Sequence, residues 1–494
     1  MMKQFLQPFK TLITLLFFGI MFTGNAQFEE QAKLVGDFRE SRAEFGTSVD
    51  FNDDFIAVGA SRESIAAGAV YIYKTQGENI EFHQKLTAFD AAEGAEFGGI
   101  VRFMDDYLVV ASGRANVEEA WMAGALYIYK LDANDEWTFH AKLVASDYQD
   151  TALLGANPTC LDTNGNILAV GAMAYDNWTG AVYIFENNDG VWTETQKVEV
   201  PDGVQNENFG IGVSISDDYL IVGASGANNG QGKAYVFKKN ANNAWELEQV
   251  VMASDAQNNI YFGTSVSVDG NQFVVGAYAE GAMSSDVPAA YVFEQNVSGQ
   301  WDEVQRIASH ESGEDTYFGW HCEMKDDMLF VAAPHVFGLE ESRVNVYKKN
   351  ENGSWDEFFT VTPSDNFNAF FGWHFAYHGD KLLVGAPRND FDENGEDEMM
   401  DAGAAFMFKQ TNLGFEEMNA NQNSISVYPN PVENQLNIVS KEEIKSVEIY
   451  SLSGQKISSK KQNSVNVSHL PKGTYIIKTT TISGKVNTQK FIKI

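Results

Sequence analysis

One short phrase recurs seven times along the chain, and this recurrence constrains the fold more than any other feature of the sequence. Each copy begins with a Phe-Gly or Leu-Gly pair and usually ends about a dozen residues later in Val-Gly-Ala or Ala-Ala-Pro. The glycines that mark the register are Gly46, Gly98, Gly155, Gly210, Gly263, Gly319 and Gly372, at spacings of 52 to 57 residues. A fixed period of this length predicts supersecondary units that stack in a row or surround an axis.

Each unit contains four short segments with strand character, which we name strands a to d. In the first unit, strand a is TSVDF after the Phe-Gly pair, strand b is DDFIAVGA and strand c is GAVYIYK. Strand d usually opens with Trp, as in WTFHAKLVASD of the second unit. Acidic and Asn-Gly turns separate a from b, and Gly and Ala end strand b, where backbones must approach closely. Seven such units predict an all-β chain with a seven-bladed β-propeller, and an open β-solenoid is the alternative.

The N-terminal segment favours the closed propeller over the solenoid. The seventh unit lacks a clear strand d, yet an orphan strand, FEEQAKLV at Phe28–Val35, precedes the first Phe-Gly pair. Its AKLV recurs inside a strand d of the second unit. We therefore predict that this strand completes blade seven beside Ala404–Lys409, which joins the chain ends and removes exposed sheet edges.

These repeats resemble the FG-GAP repeats of integrin-α-type propellers. The resemblance covers residues 27–412 and rests on seven copies of the Phe-Gly and Val-Gly-Ala elements in register. The third copy departs from the pattern, with LGANPTC in place of FGxSV, which leaves the first strand of blade three in doubt. The resemblance implies a propeller with a ligand-binding platform of loops on one face, often supported by calcium.

The sequence changes character after Asn412. Residues 413–423 read as a polar linker, and residues 424–494 alternate short strands with Pro, Asn and Gly turns, which predicts a small Ig-like β-sandwich. The motifs YPNP, LSG, LPKGTYIIK and KFIKI resemble the C-terminal sorting domain of type IX secretion substrates. That resemblance implies a partner in the type IX machinery, passage across a Gram-negative outer membrane, and release or surface attachment. An ordinary Ig-like binding module is the alternative.

Charge and the N-terminus are consistent with export. The net charge is −34, which argues against nucleic acid as a partner because phosphate contacts need Lys and Arg. Residues 1–26 carry lysines before an apolar run and small residues before Gln27, which predicts a secretory signal peptide. No later stretch is apolar enough to cross a membrane, so we expect a secreted or surface-attached mature chain. Cys160 and Cys322 have no metal-type spacing, and we expect both thiols to be unpaired.

One acidic loop is a candidate calcium site. The segment DFDENGEDEMMD lies between strands b and c of the seventh unit, and the other six b–c loops lack its Asp-x-Asp-x-Asn-Gly frame. Hard cations take six to eight oxygen ligands. The candidate ligands are Asp390, Asp392, Asn394, Glu396, Glu398 and Asp401, with Gly395 at the turn. Asp at the last position shortens its reach, and a solvated acidic loop is the alternative interpretation.

Two Trp-His pairs form a candidate ligand site. Trp320-His321 and Trp373-His374 each follow a Phe-Gly pair, at equivalent places in adjacent blades six and seven. If strand a lines the axis, the four side chains meet near one mouth of the channel. They could bind a sugar or a metal or act in acid–base chemistry, or they could simply fill the wide centre of the ring.

The sequence as a whole predicts a secreted, calcium-supported propeller that binds an extracellular protein or polysaccharide in adhesion. Serine hydrolase, zinc protease, nucleotide and dinucleotide motifs are missing from the sequence. A propeller enzyme acting on glycans at the channel mouth is the alternative function, because propeller active sites gather residues from separate blades. A structural surface component is a third possibility.

Overall fold

The computed structural model describes residues 27–77, 79–278, 288–309, 317–335, 342–365, 369–411, 425–428, 432, 434–440, 443–451, 456–460, 464–482 and 486–493. The predicted signal peptide and the predicted linker lie outside the described residues. One compact unit comprises Phe28–Gln410, and a second includes Thr411–Ile494.

Seven four-stranded antiparallel sheets make up the first unit, as the repeats predict, and this architecture fits a β-propeller. The first strand, β1, spans Gln27–Leu34. Blade one contains β2 (Phe45–Phe51), β3 (Phe55–Ala60), β4 (Ala69–Gln76) and β5 (Asn79–Leu86); blade two β6 (Phe97–Met104), β7 (Tyr107–Ser112), β8 (Ala125–Leu131) and β9 (Trp137–Leu143); blade three β10 (Leu161–Asn164), β11 (Ile167–Ala172), β12 (Ala181–Asn188) and β13 (Val191–Val198); blade four β14 (Phe209–Ile215), β15 (Tyr219–Ala224), β16 (Lys233–Lys239) and β17 (Trp245–Val251). Blade five contains β18 (Ser265–Asp269), β19 (Gln272–Ala277), β20 (Ala289–Gln295) and β21 (Trp301–Ala308); blade six β22 (Cys322–Lys325), β23 (Met328–Ala333), β24 (Arg343–Lys349) and β25 (Trp355–Val361); blade seven β26 (Phe375–His378), β27 (Lys381–Ala386) and β28 (Ala404–Thr411). Single helical turns α1 (Glu63–Ala66), α2 (Tyr175–Trp178) and α3 (Ala227–Gly230) lie in the b–c loops of blades one, three and four.

The predicted place of the N-terminal strand is confirmed, since β1 pairs with β28 as the outer strand of blade seven. Side-chain hydrogen bonds support the same position for β1. The Glu30 carboxylate accepts hydrogen bonds from the Ser364 backbone N–H and hydroxyl at 2.9 and 2.8 Å. Glu194 of β13 does the same for Ser146, and Glu303 of β21 for Ser254. Strand β1 therefore makes the contacts of a strand d.

Strand a is the innermost strand of each blade. It contacts strand a of the next blade from β2 through β26, and β26 also contacts β2. The glycines of strand b are needed at this crowded centre. A Cβ on Gly59 would lie 2.0 Å from the Gly98 carbonyl oxygen of the next blade, and one on Gly223 would lie 1.8 Å from that of Gly263. As expected, strand b therefore carries small residues where the backbone of the next blade approaches closely.

The blade interiors are apolar, and the strand-d tryptophans take part in them. Trp137, Trp245, Trp301 and Trp355 are 2 to 4 % exposed, as expected for side chains that pack the outer blade. Cys160 and Cys322 are buried, free thiols, which confirms that they are unpaired.

The two faces of the blades carry different connections. We name the face that carries the b–c loops the loop face, and the face that carries the a–b turns the turn face.

The third unit departs from the others where its sequence does. Strand β10 begins at Leu161, six residues after Gly155, whereas β22 and β26 begin three residues after Gly319 and Gly372. The intervening segment places the Thr159 hydroxyl 3.1 Å from the Ile211 carbonyl oxygen of blade four and 2.9 Å from the Thr264 carbonyl oxygen of blade five. The irregular LGANPTC segment thus ties three blades together at the centre.

The second unit contains two sheets around one apolar core. The strands are β29 (Ile425–Tyr428), β30 (Gln435–Ser440), β31 (Ile444–Ser451), β32 (Lys456–Lys460), β33 (Ser464–Asn466), β34 (Gly473–Thr481) and β35 (Val486–Lys493). Their orders are β29-β30-β33 and β32-β31-β34-β35. Leu436, Ile449, Ile477 and Phe491 are buried in the core. Two packed antiparallel sheets agree with the predicted small β fold, and the Ig-like topology remains a prediction. Across the described parts of the chain, none of the helices has the length and apolar character of a membrane span.

Candidate functional site

The two predicted histidines meet. His321 and His374 directly precede β22 and β26, at the start of strand a in adjacent blades, and their rings stack with centroids 4.8 Å apart. Both are buried, with 7 % of His321 and none of His374 exposed. Equivalent positions in neighbouring blades face each other around the axis, which is why the repeat register brings these side chains together.

Hydrogen bonds fix the tautomer of both rings. The Phe375 backbone N–H donates to His321 Nδ1 at 3.3 Å, and the Val49 N–H donates to His374 Nδ1 at 3.2 Å. A neutral ring whose Nδ1 accepts carries its proton on Nε2. Burial, with the nearby Arg102 charge, lowers the pKa of His321 to about 3, and burial and His321 also lower the pKa of His374. The pair is therefore neutral at physiological pH.

The two predicted tryptophans also meet, toward the loop face. Their ring centroids lie 4.4 Å apart, and Trp320 Nε1–H donates to the Trp373 carbonyl oxygen at 3.0 Å. Both side chains remain partly exposed. The structure thus divides each Trp-His pair, with the histidine buried at the centre and the tryptophan closer to the loop face.

Four further aromatic side chains extend the tryptophan pair. Tyr278 lies 5.4 Å from Trp320, 5.1 Å from Tyr317 and 5.3 Å from Tyr261 by ring centroids. At the other end, Phe370 lies 5.6 Å from Trp373. We define the aromatic patch as the six residues Tyr261, Tyr278, Tyr317, Trp320, Phe370 and Trp373. It is a continuous series of ring contacts across blades five, six and seven.

Aromatic residues at a repeated position of the sequence mark this patch, although the sequence-based prediction named only its two tryptophans. The residue before each Phe-Gly pair is aromatic in the last three units, where the sequence reads YFG, YFG and FFG. In the first two units that residue is an acid, Glu44 or Glu96, and each pairs with an arginine of a b–c loop. The loop face is therefore charged over blades one and two and aromatic over blades five to seven.

The candidate calcium loop is organised around an arginine. Arg39 Nη2–H donates to the Asp390 carbonyl oxygen and Nη1–H to the Asp397 carbonyl oxygen, both at 2.8 Å. Nη1 also lies 3.1 Å from the Asp397 carboxylate, and the Arg39 side chain is 11 % exposed. A guanidinium thus binds the inward carbonyl oxygens of this loop.

Two of the predicted calcium ligands bind the backbone of the loop. Asp390 Oδ1 accepts the Asp401 N–H at 2.6 Å, and Asp392 Oδ1 accepts the N–H groups of Glu396 and Asn394. Asp390 and Asp392 therefore serve the backbone of the loop. Within the described residues, which include the whole loop, no three His, Cys, Asp or Glu side chains are grouped so as to hold a metal. Calcium stays a prediction, and no step below depends on it.

Comparisons with protein families find matches in both parts of the chain. A model described as FG-GAP repeat matches residues 28–73, 192–237 and 245–293. A model described as secretion system C-terminal sorting domain matches residues 426–494. A search of curated proteins found no match. The two family matches confirm both resemblances predicted from the sequence. The sorting domain indicates export by type IX secretion, so the protein is secreted or lies at the cell surface.

Proposed function

We propose that this chain is a secreted binding module, a closed seven-bladed propeller that holds an extracellular glycan against the aromatic patch on its loop face. The observation that carries the proposal is the unbroken series of six aromatic rings, with both tryptophans partly exposed. Phe370 is buried, and the other five members are partly exposed. A contiguous apolar surface that reaches solvent commonly marks a binding site on a soluble protein.

Ring closure is part of the proposal because the patch spans the blades next to the closing point. Three contacts support it. Strand β1 pairs with β28, β26 contacts β2, and Phe45 of blade one forms a parallel bridge with Gly403 of blade seven. Blade seven is therefore held between blades six and one.

A glycan suits the patch better than other ligand classes. Sugar rings present apolar C–H faces that pack on aromatic rings, and tyrosine and tryptophan add polar edges for the hydroxyl groups. Arg388, whose guanidinium carbon lies 4.3 Å from the Phe370 ring centroid, adds hydrogen-bond donors at one end of the patch. The acidic composition disfavours nucleic acid, the other polymer that stacks on aromatic side chains.

The histidine pair gives little support to the alternative function, a propeller enzyme. A general acid or base works best with a pKa near the operating pH. His321, with a pKa of about 3, and the fully buried His374 stay neutral and engaged with backbone N–H groups. Binding is therefore the better-supported function.

The test is a glycan array probed with the purified full-length protein and with Trp320→Ala, Trp373→Ala and the double variant. Trp121→Ala is the matched control, since Trp121 is 59 % exposed and lies outside the patch. We expect saturable binding to a subset of glycans that the patch variants lose and the control keeps. Equal binding by all variants or no saturable ligand would each overturn the proposal, the latter in favour of a protein ligand or a structural component.

A further inference from the structure

A ring of seven side chains lies inside the channel, at the strand-a position that pairs with the third residue of strand b. The members are Asp50, Arg102, Asp162, Ser214, Ser267, Glu323 and Ala376. They form one layer because the register is the same in every blade. The layer contains one arginine and three acids.

Four members of the ring are satisfied by the next blade. Asp50 Oδ2 accepts the Phe103 backbone N–H at 2.6 Å, and Asp162 Oδ2 accepts the Ile215 N–H at 2.9 Å. The Ser214 and Ser267 hydroxyl oxygens accept the N–H groups of the next blades at 3.1 and 3.0 Å. In each of these contacts, a ring side chain accepts a hydrogen bond from a backbone N–H of the next blade.

Arg102 and Glu323 differ from these four members. The shortest separation between an Arg102 nitrogen and a carboxylate oxygen is 3.9 Å, to Asp50, and Arg102 Nε is buried without a partner. In the described part of the chain the Glu323 carboxyl makes no hydrogen bond either, and burial raises its pKa to about 8. The ring thus contains a guanidinium and a carboxyl group that are available for hydrogen bonds to a ligand.

Both groups face a cavity of about 680 Å³ that opens between the a–b turns on the turn face. This volume lies within the usual range for small-molecule sites, about 300 to 1,000 Å³. Asp162, Ser214, Ser267 and Cys322 also line it, and so does His321. Thr159, whose hydroxyl donates to the Thr264 carbonyl oxygen, lies on the lining as well.

Arg102 provides the independent sign of a ligand. Its Nε is buried and has no hydrogen-bond partner in the described part of the chain. A buried donor without a partner is costly, because its desolvation is not compensated. A bound molecule with an acceptor oxygen would remove that cost. His321, which is 7 % exposed and whose Nδ1 accepts the Phe375 N–H, also lines the cavity.

We propose that this channel cavity binds one non-acidic sugar residue, at a second site distinct from the aromatic patch. Arg102 and His321 donate to hydroxyl oxygens, and Glu323 accepts from hydroxyl groups. A sugar hydroxyl both donates and accepts, so it matches this mixed lining. The mouth carries Asp217, Asp218 and Asp269 with Lys325 as the cation, so an acidic sugar is repelled on entry.

The experiment is ligand-observed NMR with the full-length protein and a panel of neutral hexoses, N-acetylglucosamine, glucosamine, glucuronate and galacturonate. We expect at least one neutral sugar or glucosamine to give a saturable signal, with the matching uronate at least tenfold weaker. No saturable binding, which would mean a merely hydrated channel, or equal binding of the uronate would overturn the proposal.

Two variants locate the site. Asn271→Trp places a large side chain at the exposed rim of the cavity, and Asn242→Trp, in an exposed outer turn, is its control. Glu323→Leu removes the unused carboxyl without adding a charge, and a thermal melt verifies that it folds. Both are expected to weaken the sugar at least tenfold while Asn242→Trp and the Trp320→Ala, Trp373→Ala double variant bind normally. Signals lost only in that double variant would belong to the aromatic patch and would overturn the channel site.

Discussion

Lys33 Nζ of β1 lies 2.6 Å from the Asp365 carboxylate, which follows strand d of blade six. The same contact recurs around the first unit, between Lys142 and Asp90 and between Lys197 and Asp147. In those blades, a strand-c tyrosine donates to the same aspartate, Tyr127 to Asp90 and Tyr183 to Asp147, both at 2.7 Å. In blade seven that position is Phe406, and Asp365 Oδ1 is buried with no partner.

Phe406→Tyr is therefore expected to stabilise the protein. The new hydroxyl would donate to Asp365 and complete the contact that the other blades have, a gain of about 1 kcal/mol for a hydrogen bond that satisfies a buried acceptor. Differential scanning calorimetry measures the change, and Tyr183→Phe is the reverse control, expected to destabilise. A lower midpoint for Phe406→Tyr would show that blade seven is not equivalent to the others.

A chemical cross-link tests where β1 lies. Glu30 and Ser364 are exposed and hydrogen-bonded to each other, and the native thiols of Cys160 and Cys322 are buried. In Glu30→Cys, Ser364→Cys, a short bismaleimide is expected to join the two residues within one chain, as found by peptide mass spectrometry. The control pair Glu30→Cys, Ser254→Cys places the second thiol at the equivalent site of blade four and is expected not to link. Linking of the control pair instead would contradict the closed ring.

The buried carboxyl of Glu323 makes stability depend on pH. The pKa of Glu323 is raised from the ordinary 4.5 to about 8. Burial is the main cause, the charges of Asp50 and Asp162 also raise the pKa, and those of Arg102 and Lys325 lower it. The folded state therefore holds a proton that the unfolded state releases, so this group makes stability fall as pH rises from about 4.5 to about 8. Glu323→Gln is expected to melt higher than the parent at pH 9 and equally at pH 4. Glu246→Gln, which changes an exposed carboxyl, is the control, and a parallel shift in both variants would contradict the assignment.

The role of Arg39 predicts a response to calcium. Because its guanidinium binds the carbonyl oxygens of Asp390 and Asp397, Arg39→Met is expected to lower the melting midpoint. If the guanidinium takes the place of the predicted ion, Ca²⁺ leaves the midpoint of the parent unchanged. Thermal melts in EDTA and in millimolar Ca²⁺ measure both effects. A rise with Ca²⁺ that Asp390→Asn abolishes would restore the calcium site and remove Arg39 from the argument.

Local features of the sequence predicted most of the fold. The Phe-Gly period gave the seven sheets, and the match between the N-terminal AKLV and that of a later strand d placed β1 beside β28. The equivalent positions of His321 and His374 predicted their meeting. Arg39 could not be foreseen, because it lies 351 residues before Asp390 in the chain and only the tertiary fold brings the two into contact. The lack of hydrogen-bond partners for Arg102 Nε and the Glu323 carboxyl likewise depends on distances across the channel, which no local sequence pattern encodes.

The affinity of the purified protein for its best array glycan, measured by isothermal titration calorimetry, tests the proposed function most directly. Truncating an aromatic side chain at the centre of a binding surface costs about 2 kcal/mol, or roughly 30-fold in affinity. We predict a loss of that order for Trp320→Ala and for Trp373→Ala, with Trp121→Ala unchanged. Parent-like affinity in both patch variants, at unchanged melting temperature, would contradict glycan binding at the loop face.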